Sequence, residues 1–170
     1  MTFLIVLICV VVAVLLLKPA IKKAPAIWYA AAIVLALLYI GVLQGLLPLS
    51  APVRNVLFLL LQKGTLAVAL FTVVMFVGVF PRDSKPRKYL SPIRAELSII
   101  ACMLIVGHIL AYCLTYVPRV LGAGVITPFV SVGLGVALAV TVLLVVLGAT
   151  SFNSVKVRMS SQTWSRVQKW

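Results

Sequence analysis

Acidic side chains are almost absent from this sequence, whose 170 residues include only two acids, Asp83 and Glu96, and a single histidine, His108. Two isolated acids exclude paired-carboxylate catalysis and argue against a proton relay through acidic residues. There is no glycine-rich phosphate loop, no nucleotide fingerprint and no nucleophile beside a base. The sequence therefore excludes hydrolytic chemistry.

Cysteine is also scarce, and its three copies, Cys9, Cys102 and Cys113, all lie in apolar runs. No CxxC or CxxCH motif is present, so neither a zinc site nor covalent haem attachment is supported. We interpret the three thiols as small apolar side chains.

Hydrophobic residues make up 64% of the chain and charged residues 10%, a balance typical of an integral membrane protein. Runs long enough to cross about 30 Å of hydrocarbon as helix predict an all-α bundle of five spans within residues 1–150. The spans are about 2–17, 27–47, 56–80, 93–117 and 126–149. The runs lack the alternation of a membrane barrel, so strands are not expected.

The basic residues predict the orientation of this bundle. Arg54 and Arg119 fall on one face, and the opposite face carries Lys18, Lys22, Lys23, Arg82, Lys85, Arg87, Lys88, Arg94, Lys156, Arg158, Arg166 and Lys169. The positive-inside rule then puts the protein in the cytoplasmic membrane with its N-terminus outside and its C-terminus cytoplasmic. The net charge of +13 is interpreted as contact with anionic lipid, not with nucleic acid. Residues 151–170 are predicted to form a basic amphipathic segment at the cytoplasmic interface.

His108 is the first candidate functional residue. It lies about 22 Å along the run 93–117 from its cytoplasmic end, where polar side chains are costly and usually functional. Hydrocarbon favours the neutral imidazole, which keeps a nitrogen lone pair for a metal. The alternative is a histidine that hydrogen-bonds a neighbouring helix.

Lys63 is a second polar residue, roughly 10 Å inside the outer end of the run 56–80. A lysine at this depth reaches outward to water by extending its side chain. Its charge also suits an anionic group, such as a porphyrin propionate, near the outer surface.

Three stretches resemble the ferric reductase-like transmembrane domain family, which includes the haem-binding membrane subunit of the bacterial methionine sulfoxide reductase system. They are KGTLAVALFTVVMFVG, RKYLSPIRAELSIIACMLIVGHILAY and GATSFNSVKVRMSSQTWSRVQKW, and the resemblance covers about residues 63–170. It implies haem b bound between helices and electron transfer across the membrane, from a cytoplasmic or quinone donor to an acceptor outside. It also implies His108 as an axial iron ligand, with Lys63 and Tyr112 at the same cofactor. A flavin or quinone would then belong to a redox partner protein or second subunit.

The chain departs from that family at the second axial histidine. Gln168 stands at the corresponding position, and the sequence stops at Trp170 without a sixth span. We expect the sequence to be an incomplete copy of a longer protein. Alternatively, a partner or second copy donates the ligand, or the iron is five-coordinate or bound by Met103. Met103 lies five residues before His108, so the pair cannot take opposite faces of one haem.

A second function class also fits the sequence. In it the protein is a haem-free membrane scaffold or transporter subunit, and His108 bonds a neighbouring helix. The scarcity of acidic residues argues against ion coupling but is compatible with a scaffold.

Overall fold

The computed structural model describes residues 2–81, 83–122, 128–151, 160 and 162–163, and the two compact units that it forms are Met1–Cys113 and Leu114–Trp170. Within the described residues the chain forms seven longer helices, one 3-10 turn (Ser91–Ile93) and no strand. The helices are α1 (Thr2–Lys23), α2 (Pro25–Leu43), α3 (Ala51–Leu61), α4 (Thr65–Val79), α5 (Lys85–Leu90), α6 (Arg94–Leu121) and α7 (Pro128–Ser151). The predicted all-α class is confirmed.

Several of these helices are long and apolar enough to cross a membrane. Among the described residues, three helical segments meet that condition, Thr2–Lys23, Pro25–Leu43 and Lys85–Arg119. The pair α3 and α4 counts as a fourth if the two helices, bent by 42°, are one span. The described apolar part of α7, Ser131–Val146, is shorter. The chain is therefore a helical membrane protein by length and composition, and the five-span count stays a prediction.

The first two helices differ from the predicted spans at their C-terminal ends. α1 runs to Lys23, beyond the predicted limit of 17, with Pro19 inside it. α2 ends at Leu43 because Gly45 takes a left-handed φ of 72°. The Gly45 and Leu46 N–H groups then donate to the carbonyls of Val42 and Gly41, at 3.1 and 2.8 Å. This is a Schellman motif, in which a glycine turns the chain without a Cβ clash.

The third predicted span, 56–80, is not one straight helix. α3 stops at Leu61 and α4 starts at Thr65, with Gly64 between them at φ 62°. We call residues 61–65 the helix break. The Gly64 N–H donates to the Leu61 carbonyl at 3.0 Å, which closes a short turn in place of the continuous helical ladder.

The core of the first unit is built from apolar and small side chains. Val6, Val10 and Val14 recur every four residues on α1 and are buried, so one stripe of α1 faces the bundle. Ala69 on α4 and Ala101 on α6 are fully buried, and such small residues let backbones approach closely. The opposite faces of these helices expose large apolar side chains, as expected for helices surrounded by lipid.

In the second unit, α7 is the principal described element. The Thr141 hydroxyl donates to the Ala137 carbonyl one turn earlier, at 2.7 Å, so this polar group bonds within its own helix. The predicted amphipathic segment over 151–170 lies mostly outside the described residues, and the predictions that involve Gln168 and Trp170 lie wholly outside them.

Candidate functional site at the helix break

The His108 side chain makes a hydrogen bond across the bundle to the helix break. Its Nδ1 lies 2.9 Å from the carbonyl oxygen of Leu61. A carbonyl oxygen only accepts, so Nδ1 carries the proton, and in a neutral imidazole the lone pair is then on Nε2. Within the described part of the chain, no hydrogen bond to Nε2 is present. The backbone of the break therefore selects the tautomer of the one histidine.

Tyr112 lies one turn beyond His108 on α6 and also bonds the backbone of the helix break. Its hydroxyl donates to the carbonyl of Gln62 at 3.1 Å. The rings of His108 and Tyr112 have centroids 4.7 Å apart, as expected for residues four apart on one helical face. Two side chains of α6 thus bond two adjacent carbonyls of the interrupted span.

Gly64 brings the break close to α6. A Cβ at this position would lie 3.1 Å from Cδ1 of Ile105 and 3.8 Å from two carbons of the His108 ring. Its positive φ is also one that residues with a side chain rarely adopt. Glycine is therefore required here for both backbone conformation and helix approach.

On its other side α6 packs tightly on α2. A Cβ added to Gly107 would lie only 2.4 Å from the Cβ of Ala36. The absence of a side chain at Gly107 lets the two helices meet, and it fixes the position from which His108 reaches the break.

Lys63 lies in the break and its side chain is exposed. It lines a cavity of about 460 Å³ together with Gln62 and Thr65, and with Thr2 and Phe3 of α1. His108 does not line this cavity. The three residues predicted as a site, His108, Lys63 and Tyr112, therefore converge on one helix break, but only Lys63 lines the cavity beside it.

Three features of this region were not predicted from the sequence. The first is the break itself, whose signal is the run Gln62, Lys63 and Gly64 inside an apolar stretch. The second is Tyr39 on α2, which is 1% exposed and packs edge-on against Phe58 at 5.7 Å. Its hydroxyl has no hydrogen-bond partner among the described residues. The third is the pair of backbone carbonyls, which no side-chain pattern reveals.

The donor set limits what this site can hold. Within the described residues, no group of three or more His, Cys, Asp or Glu side chains is placed to bind a metal ion. The three free thiols are on α1 and α6. The arrangement offers one imidazole nitrogen, Nε2, with its second nitrogen held by a backbone carbonyl, as is usual for metal-ligating histidines. The site therefore supplies one nitrogen donor, which is the number that a single axial haem ligand requires.

Comparison with known proteins finds a distant relative. The chain is 36% identical over 113 residues to an uncharacterized protein of Treponema pallidum (strain Nichols). The match covers 64% of this chain and 30% of the relative, so the chain spans less than a third of the length of the curated protein that it matches. No protein-family model and no solved structure matches the chain.

Proposed function

We propose that this chain is a haem b-binding membrane protein of the ferric reductase-like type, which passes electrons from a cytoplasmic or quinone donor to an acceptor outside the membrane. The observation that carries the proposal is the 2.9 Å hydrogen bond between His108 Nδ1 and the Leu61 carbonyl. It holds the ring in the tautomer and orientation that leave Nε2 as a ligand.

Each residue at the break has a role in this proposal. His108 would hold the haem iron through Nε2, and the Leu61 carbonyl orients its ring by accepting from Nδ1. Tyr112 packs against the His108 ring at a tilt of 46° and keeps the break closed through its bond to Gln62. Lys63 is exposed beside its own cavity, and its long side chain is suited to reach a propionate. The haem supplies reversible one-electron transfer.

A second imidazole ligand would have to come from elsewhere, because His108 is the only histidine in the sequence. We propose that a partner subunit, a second copy or a further part of a longer protein donates it. A redox partner that carries flavin or quinone supplies the electrons. The proposed orientation has the N-terminus outside the cytoplasmic membrane and the C-terminus within the cell, and it is supported by the twelve basic residues that the predicted five-span topology assigns to one face.

A haem-free membrane scaffold or transporter subunit is the second candidate. It is favoured by the same contacts, because His108 and Tyr112 both bond carbonyls that the break removes from the helical ladder. Irregular backbone at membrane depth needs such partners. In this alternative the two side chains only close the break.

A visible absorption spectrum of the purified chain after haem-replete expression separates the two candidates. The proposal predicts a Soret band with reducible α and β bands in the wild type. His108→Gly should abolish the bands, and added imidazole should restore them by occupying the vacated ligand position. Met103→Leu is the control on the same helix and should keep the spectrum, since its thioether is not the ligand.

Two outcomes contradict the haem proposal. A wild type without visible absorbance leaves the haem-free candidate. Bands that survive unchanged in His108→Gly show that haem is bound elsewhere and remove the assigned site.

A further inference from the structure

An open apolar groove runs along α1 and α4 of the first unit and ends at α5. Its walls are almost wholly apolar and enclose about 620 Å³. They include Leu7, Val11 and Leu15 of α1 and Phe76 of α4, which are partly or largely exposed. From Leu7 to Leu15 the groove follows α1 for about 12 Å. Its shape and lining suit an extended hydrocarbon chain.

The end of the groove near α5 carries positive charge. Lys85 and Tyr89 line it, and the Lys18 ammonium lies 3.5 Å from the centroid of the Tyr89 ring. The Tyr89 hydroxyl donates to the Leu15 carbonyl at 3.2 Å, so the ring is held in place under the ammonium. Two cations and a fixed aromatic ring therefore lie at the same end of the groove.

Two other basic side chains of α5 have protein partners. Lys88 pairs with Asp83 at 3.2 Å, and the Arg87 guanidinium donates to the Phe80 carbonyl at 2.7 Å. Over the part of the chain that the structure describes, neither Lys18 nor Lys85 forms an ion pair with a carboxylate. These two ammonium groups remain available to an anion at the end of an apolar groove.

We propose that this groove is a binding site for an anionic phospholipid, with one acyl chain along α1 and α4 and the phosphate between Lys18 and Lys85. Charge complementarity selects this occupant over a neutral lipid or a quinone, because basic pockets between membrane helices recognise anionic headgroups. The site lies apart from the helix break and does not depend on haem.

The test measures lipid binding by the full chain after delipidation in mild detergent. Phosphatidylglycerol and phosphatidylcholine with the same acyl chains are added separately, and the bound lipid is counted by native mass spectrometry. The proposal predicts that the wild type binds phosphatidylglycerol in preference to phosphatidylcholine. In the double variant K18Q/K85Q this preference should fall by about fivefold for each of the two lysines removed. The matched control K22Q/K23Q removes two charges from the same end of α1 outside the groove and should keep the preference.

Val11→Trp fills the apolar part of the groove and should abolish binding of both lipids, provided that helical content and elution volume are unchanged. Equal losses in K18Q/K85Q and K22Q/K23Q would overturn the proposal, since general surface charge would then explain the binding. Retained binding in a folded Val11→Trp variant, or a quinone bound in preference to phosphatidylglycerol, would also overturn it. If Val11→Trp does not fold, the two lysine pairs still decide.

Discussion

Two of the predicted spans in the first unit contain an interruption, and the helix continues through only one of them. α1 contains Pro19 and continues as one helix to Lys23, whereas the span with Gly64 separates into α3 and α4, bent by 42°. A proline inside a helix removes one N–H, and it leaves the carbonyl four residues earlier without its donor. In α1 that carbonyl belongs to Leu15, and it accepts the Tyr89 hydroxyl. At the break the carbonyls of Leu61 and Gln62 accept from His108 and Tyr112.

Each of the two interruptions is thus completed by a donor from a distant segment of the chain. Membrane helices tolerate such interruptions where neighbouring side chains satisfy the freed backbone. The difference lies in chemistry, since Tyr89 supplies one hydroxyl, whereas the break receives a hydroxyl and an imidazole that keeps a second nitrogen for another partner.

The largest effect is expected from a side chain at the break. Gly64→Val forces a β-branched residue into the left-handed region and against Ile105, and should lower the free energy of unfolding by about 3 kcal/mol. Gly45→Ala is the control for backbone strain alone, because a Cβ there has nothing within 4 Å despite its φ of 72°. It should cost about 1 kcal/mol. Titration with a denaturing detergent measures both, and equal costs would show that the break does not touch α6.

The role of Pro19 is tested by a double-mutant cycle in α1. Tyr89→Phe removes the donor to the Leu15 carbonyl and should cost about 1 kcal/mol in the wild-type background. Pro19→Ala restores an N–H for the same carbonyl, so Tyr89→Phe should be nearly neutral in that background. Unfolding free energies of the four proteins give the coupling. A cost for Tyr89→Phe that is independent of residue 19 would refute the pairing.

The smallest effects are expected from the donors at the break. His108→Leu leaves the Leu61 carbonyl with its bond from the Gly64 N–H, so the loss should be about 0.6 kcal/mol, typical of hydrogen bonds between membrane helices. Tyr112→Phe should cost a similar amount by removing the hydroxyl from Gln62. The same detergent titration measures them. A loss above about 3 kcal/mol for His108→Leu would show that the imidazole is primarily structural.

The helices were predictable because an apolar run of membrane length has one main way to satisfy its backbone. The helix break was not predictable in this way, because the mean hydropathy of the run 56–80 stays high despite the three residues Gln62, Lys63 and Gly64. Lys63 was expected to lie inside a continuous helical span, and it lies instead in the non-helical turn between α3 and α4, with its side chain on the protein surface.

The pairing of donors with carbonyls could not be predicted from the sequence either. Tyr89 and Leu15 are 74 residues apart, and His108 and Leu61 are 47 apart. Such contacts depend on how helices are positioned, and Gly107 against Ala36 shows that this position is set by single small residues. The sequence identified His108 as unusual and left open whether iron or a helix is its partner. In the structure the partner of Nδ1 is the Leu61 carbonyl, and iron as the partner of Nε2 stays a proposal.

Because the chain has one histidine, nitrogen NMR of the [15N]histidine-labelled protein in lipid nanodiscs tests that assignment directly. Without haem, the account predicts a protonated Nδ1 and an unprotonated Nε2. On addition of ferrous haem with carbon monoxide, a diamagnetic state, the Nε2 resonance should shift as it binds iron while Nδ1 keeps its proton. Two nitrogen resonances that stay where they were after haem is added would contradict the account.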